Sequence, residues 1–275
     1  MSLFKQSSVL NKPASAKGHL LRAPWLWAVV GVIAGLAIAL VMRAPAQWLG
    51  SAVFSLSQGR VQLIQTRGTV WSGSAQLMLS GGTAAVGSTV LPGRVDWQIR
   101  PGWLALNLQL RAECCTAQPL VARLSDFFGN TQLVVGDASS VWPASLLSGL
   151  GTPWNTVQVS GSLQVSTQGF SARQTGGRWV FAGRAVLDAQ SVSSRLSTLK
   201  PMGSYRLVLV GGNVATVELL TLKGALQLSG TGRLTDSGLR FEGVATAEQE
   251  NLAALSNLLN IIGRRTGARS VIKLG

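Results

Sequence analysis

Arg94-Val95-Asp96-Trp97-Gln98-Ile99-Arg100-Pro101-Gly102-Trp103-Leu104-Ala105-Leu106-Asn107-Leu108-Gln109-Leu110-Arg111 decides the fold. In its first half the apolar residues Val95, Trp97 and Ile99 are all odd-numbered. In its second half Leu104, Leu106, Leu108 and Leu110 alternate with Ala105, Asn107, Gln109 and Arg111. A period of two marks a strand with one apolar face. Between the two runs stands Pro101-Gly102, the residue pair favoured at the centre of a type II turn. Two such strands and a tight turn make an antiparallel hairpin with one face buried. On this reading Gly102 occupies the φ > 0 position. A one-residue slip would turn the apolar row into solvent.

The same alternation continues outward. Thr156 to Ser166 carries Val157, Val159, Leu163 and Val165. Gly177 to Asp188 carries Trp179, Phe181, Ala185 and Leu187 on one face. Tyr205, Leu207 and Leu209 precede a turn at Gly211-Gly212-Asn213. Val214 to Leu222, Ala225 to Leu228 and Leu239 to Val244 extend the series. A loose unit of glycine, alternating apolar residues and a turn recurs from Gly73, Gly161 and Gly224. Duplication and the plain likeness of alternating strands explain it equally well. With 32 glycines and 12% charged residues, many short strands punctuated by turns are expected. The fold class is all-β: an extended antiparallel sheet, half-barrel or sandwich with few short helices.

Three helical segments are expected. Pro119 to Phe128 reads as one or two short turns. Pro143 suits a helix start before Ala144-Ser145-Leu146-Leu147. Leu252, Leu255, Leu258, Leu259 and Ile262 form an amphipathic stripe. Gly263 is its expected C-cap, and Arg264-Arg265 suit its negative end. This last helix reads as a cover for an open end of the sheet, with a docking helix as the alternative.

Ahead of the strands, residues 23–42 hold no charge. As a helix they span roughly 30 Å, the thickness of a bilayer's hydrocarbon core. Residues 1–22 carry Lys5, Lys12, Lys17 and Arg22 and no acid, which favours a cytoplasmic leader and an N-in, C-out chain. Arg22 and Arg43 flank the span, with Trp25, Trp27 and Trp48 as interfacial aromatics. Ala44-Pro45-Ala46 resembles a signal-peptidase site. The long basic leader, Arg43 and the proline argue instead for a retained anchor. The organisation expected is a leader over 1–22, a transmembrane helix over 23–42 and a β-rich domain over 43–275, periplasmic in a Gram-negative envelope.

Net charge is +14, and the chain beyond the leader keeps +10. The arginines are scattered singly along strands, with no basic helix, zinc pattern or RNA-binding aromatic motif. Acidic proteins or anionic lipid headgroups therefore fit better than nucleic acid. Cys114 and Cys115 are the only cysteines. Adjacent Cα atoms are only about 3.8 Å apart, so a vicinal disulfide between them is strained. The alternative is two thiols at a strand end, one buried and one exposed.

Catalytic signals are missing. The single histidine, His19, lies in the leader, which excludes a histidine triad or zinc site from the outer domain. The ten acids are widely spaced, and Asp96 and Glu242 fall on the polar faces of strands. No GxSxG, Walker or dinucleotide motif occurs. No enzyme, cofactor or metal is expected. Of the nine tryptophans, Trp71, Trp97, Trp103, Trp142, Trp154 and Trp179 belong to the outer domain, as core or as interface.

Two blocks carry a family resemblance: Gly68-Thr69-Val70-Trp71-Ser72-Gly73-Ser74-Ala75 and Leu91-Pro92-Gly93-Arg94-Val95-Asp96-Trp97-Gln98-Ile99-Arg100-Pro101. Weaker support comes from Pro143 to Leu147, Val159 to Leu163 and Leu258 to Arg265. With the leader and single span, the chain resembles protein N of the bacterial type II secretion system, the GspN family. The resemblance implies a non-enzymatic accessory protein of the inner membrane, acting in the export of folded proteins across the outer membrane. Its partners would be the secretin or inner-membrane platform proteins, with membrane lipid around the anchor and room for an oligomeric ring. An alternative from another class is a lipid-handling or envelope-bridging protein with an apolar β-groove.

Overall fold

The structure, a computed structural model, describes residues 25–82, 87–127, 129–152, 154–235 and 238–275. The leader, with His19 and Arg22, lies outside the described residues. The chain divides into two units that part between Met42 and Arg43. In the first, helix α1 (Trp25–Met42) has a mean hydropathy of 2.4 and no buried residue. It is long and apolar enough to cross a bilayer.

The second unit is one antiparallel sheet, with sixteen strands among the described residues. In chain order these are β1 (Val61–Gly68), β2 (Ser72–Ser80), β3 (Ser88–Val90), β4 (Val95–Gly102), β5 (Ala105–Ala112), β6 (Leu120–Phe127), β7 (Asn130–Val135) and β8 (Ala138–Pro143). They continue as β9 (Val159–Thr175), β10 (Arg178–Ser194), β11 (Gly203–Gly212), β12 (Ala215–Gly224), β13 (Leu226–Thr235), β14 (Gly238–Ala247), β15 (Arg264–Thr266) and β16 (Arg269–Leu274). The spatial order is β1-β2-β4-β5-β6-β7-β9-β10-β11-β12-β13-β14-β16-β15, with β3 on β2 and β8 on the first half of β9. The expected all-β architecture is present as a single continuous sheet.

The deciding hairpin forms, but its turn lies elsewhere. Gly102 pairs with Ala105, so Trp103-Leu104 is the turn, and Leu104 takes the positive φ of 67°. Pro101-Gly102 instead ends β4, and Gly102 is not left-handed. The pairing still sets Trp97 opposite Leu110 and Ile99 opposite Leu108. The turn keeps two residues and moves by two positions, so each cross-strand partner shifts by four, an even number, and the apolar faces stay together. Pro119 to Phe128 is a second correction. Leu120–Phe127 is strand β6, paired on both sides by β5 and β7. Ladder hydrogen bonds on both edges override its weak helical spacing.

A helix that alternation does not reveal follows the first unit. Helix α2 (Ala46–Leu56) starts after an extended Pro45 and ends in a Schellman motif. Gln58 there has φ 53°, Gly59 N–H donates to Phe54 O at 2.8 Å, and Gln58 N–H donates to Ser55 O at 3.2 Å. Its Ala46 and Leu49 pack with Leu63, Ala75 and Trp97. Trp48, read as a membrane flank, sits half exposed on this helix.

The sheet's hairpin turns alternate between two ends. At the base end a 3₁₀ turn (Ala144–Leu150), helix α3 (Trp154–Val157) and helix α4 (Leu252–Ile262) cover the apolar face. Leu255, Leu258 and Leu259 of α4 join Val159, Leu163, Val192, Met202, Tyr205, Leu226 and Ala245 in one core. The expected helix is therefore a cover. Its Gly263 is not a left-handed cap, for its φ is −174°. A Cβ there would collide with Val271 O, so glycine serves a close approach to β16.

Candidate functional site

The two family-like blocks meet at one corner of the sheet. Gly68 to Gly73 forms the β1–β2 turn, where the Thr69 hydroxyl accepts from Ser72 N–H at 3.1 Å. Trp97, 5% exposed, donates its indole N–H to Val70 O at 3.0 Å. A Cβ on Gly73 would lie 2.6 Å from Trp97 Cζ2, so the glycine gives the ring its place. Leu91 is fully buried. Arg94 donates to Ser74 Oγ at 3.0 Å and to Gln65 O at 2.9 Å, fastening the β1 bulge. The chain reaches the sheet at this corner. Pro45 bridges Thr69, and Val70 N–H donates to Ala44 O at 2.9 Å. Beside it lies an open depression of about 530 Å³, lined by Arg67, Ser74, Asp96, Trp97, Gln109 and Arg111.

Along the sheet, directly paired residues share a face. One row runs Pro101, Leu106, Leu124, Leu133, Ala172 and Phe181. It belongs to the same face as the base core but lies near the other end, which we call the tip. Leu106 and Leu124 are each 41% exposed there. Phe181 contacts Phe170 and Trp179 at centroid distances of 6.3 and 6.5 Å. Farther along, Phe241 is buried on the glycines of β13 and β14. Cβ atoms on Gly230 and Gly243 would lie 2.5 and 2.9 Å from its ring.

The tryptophans thus divide. Trp97 is core, Trp71 and Trp142 are half-buried, and Trp103, Trp154 and Trp179 are exposed. In α1, Trp25 and Trp27 are exposed, and Arg43 is exposed at the start of the second unit. Cys114 and Cys115 form a disulfide in the β5–β6 connection, with Cys115 buried against Leu91 and Leu146 and Cys114 exposed. Among the described residues no cluster of metal-ligating side chains forms.

Three groups depart from ordinary protonation. The Arg206 guanidinium donates to both Asp188 oxygens, at 2.6 and 2.7 Å, across β10 and β11. Those hydrogen bonds hold the Asp188 carboxyl below its usual range and raise Arg206. Burial pushes the Tyr205 hydroxyl upward, and its oxygen has no hydrogen-bond partner. Sequence reasoning missed Trp103-Leu104 as an exposed tip. The available signal was an apolar pair directly after Pro-Gly, where a polar turn residue is usual.

An apolar helix followed by one broad sheet, with open depressions among the described residues, defines a β-sheet protein. The chain belongs to the protein N family of the type II secretion system (T2SS), whose family model matches residues 59–272. That span takes in β1 to β15 and most of β16, and it makes the chain a participant in type II secretion, in association with other components of that system. No curated protein and no solved structure matches the chain.

Proposed function

We propose that the chain is a non-enzymatic accessory component of the type II secretion apparatus. Residues 23–42 anchor it in the inner membrane, residues 1–22 stay in the cytoplasm, and the β-domain 43–275 works in the periplasm. There it presents its sheet to the secretin or to inner-membrane platform proteins during export of folded proteins across the outer membrane. The observation that carries this reading is the family match over residues 59–272, nearly the whole sheet. The uncharged α1 and the basic leader support the orientation. Arg22, Trp25, Trp27, Arg43 and Trp48 serve as the interfacial flanks, and the disulfide of Cys114 and Cys115 suits an oxidising compartment.

Deleting the chain from its host should impair secretion, and the full chain supplied in trans should restore it. Normal secretion in the deletion strain, with no secretion component co-purifying with the chain, would sink the proposal. A phosphatase fused after Gly275 should be active. A mature N-terminus at Gln47 would show cleavage in place of anchoring. An acyl-carrying groove would use the same open rows near the tip, and stoichiometric phospholipid in the purified full chain would favour that second reading.

A further inference from the structure

The tip end of β4–β10 combines three features that a soluble turn does not need. Trp103 is 94% exposed and Leu104 56% exposed at a two-residue hairpin turn. Leu104 sits at φ 67°, a region that asparagine or glycine enters far more readily. A strained, apolar residue at an exposed turn is a motive to look for function. At the β9–β10 hairpin, at the same end of the sheet, Trp179 is 50% exposed and Val180 44% exposed. Arginines surround this apolar edge: Arg100 and Arg123 share one cross-strand row through Asn107, and Arg173 and Arg178 flank the β9–β10 turn. At the tip of β6, Asp126 already accepts from Gly129 N–H and from the Thr131 hydroxyl.

The position of the tip adds a fourth observation. The β1–β2 turn, where Ala44 and Pro45 join the sheet, lies beside Ile99, for Ile99 N–H donates to Trp71 O at 2.7 Å. From Ile99 the chain runs on to the turn in the same direction, a rise of roughly 13 Å for four residues at about 3.3 Å each. Helix α1 ends at Met42, two residues before Ala44 in the chain. We infer that the Trp103-Leu104 hairpin, with Arg100 and Arg123 behind it, is an interfacial membrane contact for the periplasmic leaflet of the same bilayer. Tryptophan and leucine enter the headgroup region, and the arginines meet anionic phosphates. This inference rests on the anchored reading above.

The test uses the full chain in vesicles of phosphatidylcholine, with or without phosphatidylglycerol, carrying brominated acyl chains. The emission lost in Trp103→Phe isolates Trp103 from the other eight tryptophans. Quenching of that difference signal, stronger with phosphatidylglycerol and weakened by Arg100→Gln with Arg123→Gln, is the expected result. Leu104→Asn relieves the backbone, so it should melt no lower than the parent while the Trp103 quenching falls. A Trp103 signal that bromine does not quench in either vesicle overturns the inference. So does one shielded only when other secretion components are added, which would make the tip a protein site. Carbonate extraction of the same vesicles reports separately on the anchor: a chain that is extracted refutes the anchored reading, and a retained chain with unquenched Trp103 refutes the tip alone.

Discussion

The base and the tip of the sheet present the same kind of face and meet different fates. On β5 the apolar row passes from buried Ala112 through half-buried Leu110 and Leu108 to exposed Leu106. On β4 it passes from buried Val95 and Trp97 to half-buried Ile99 and exposed Pro101. Alternation in sequence is unchanged along each strand. What changes is the cover: α4, the 3₁₀ turn and α2 lie over the base and middle, and nothing among the described residues lies over Leu106 and Leu124. Alternation thus specifies which side is apolar and not whether that side is core.

The comparison can be broken with paired truncations. Leu255→Ala in α4, where the side chain is fully buried, should cost about 2–5 kcal/mol, as buried leucine truncations do. Leu124→Ala in the open row should cost well under about half of that, since less area leaves water. Denaturant unfolding of the purified protein measures both. Equal losses would mean that the tip is as well packed as the base.

Next in size is the glycine bed. Gly243→Ala places a methyl 2.9 Å from both Phe241 Cε1 and Ser229 O. Displacing the ring should cost about 1–3 kcal/mol, the range for overpacking, and should show as changed near-ultraviolet dichroism. The hairpin turn sharpens the contrast further. Gly102→Val should be nearly neutral, within about 0.5 kcal/mol as for other surface changes, because Gly102 is not left-handed. Leu104→Gly should raise stability by up to about 1 kcal/mol through removal of the left-handed strain. A large loss on Gly102→Val would restore Pro101-Gly102 as the turn.

The smallest effect concerns acid. Because Asp188 titrates below its ordinary value of about 3.9, its ion pair stabilises the fold fully above that value. The contribution disappears as pH falls through the lower, folded value. Asp188→Asn should therefore flatten the acid limb of the melting profile below about pH 4 and lower the melting temperature slightly at neutral pH. A limb unchanged by the substitution would show that the pair is idle.

Much of this was legible in the residues. The parity of Trp97, Ile99, Leu108 and Leu110 gave the hairpin face, and the stripe from Leu252 to Ile262 gave α4. The turn position was not legible, since Pro-Gly is a strong local signal and only pairing across the whole ladder outvotes it. Helix α2 was hidden because Ala46 to Leu56 continues the apolar character of the preceding segment. The strand β6 was hidden because Ala122 is small and breaks its visible alternation. The corner site was legible as two unusual blocks, and only the structure shows them joined by the hydrogen bond from Trp97 to Val70.

Strand order has a consequence for how the molecule is made. Most neighbours in the sheet are also neighbours in sequence, with short skips at β3, β8 and β15. After β1, each new strand except β8 and β15, whose partners β9 and β16 follow them, finds its partner already waiting, so the sheet can lengthen by one rung at a time as the chain emerges, with little loop entropy per step. Helix α4 emerges after β14, late in that order. Until it arrives, Leu163, Tyr205 and Leu226 lack their cover. A ribosome stalled before residue 252 would therefore leave a nearly complete sheet with a sticky base, a species prone to aggregate although most of its hydrogen bonds are formed.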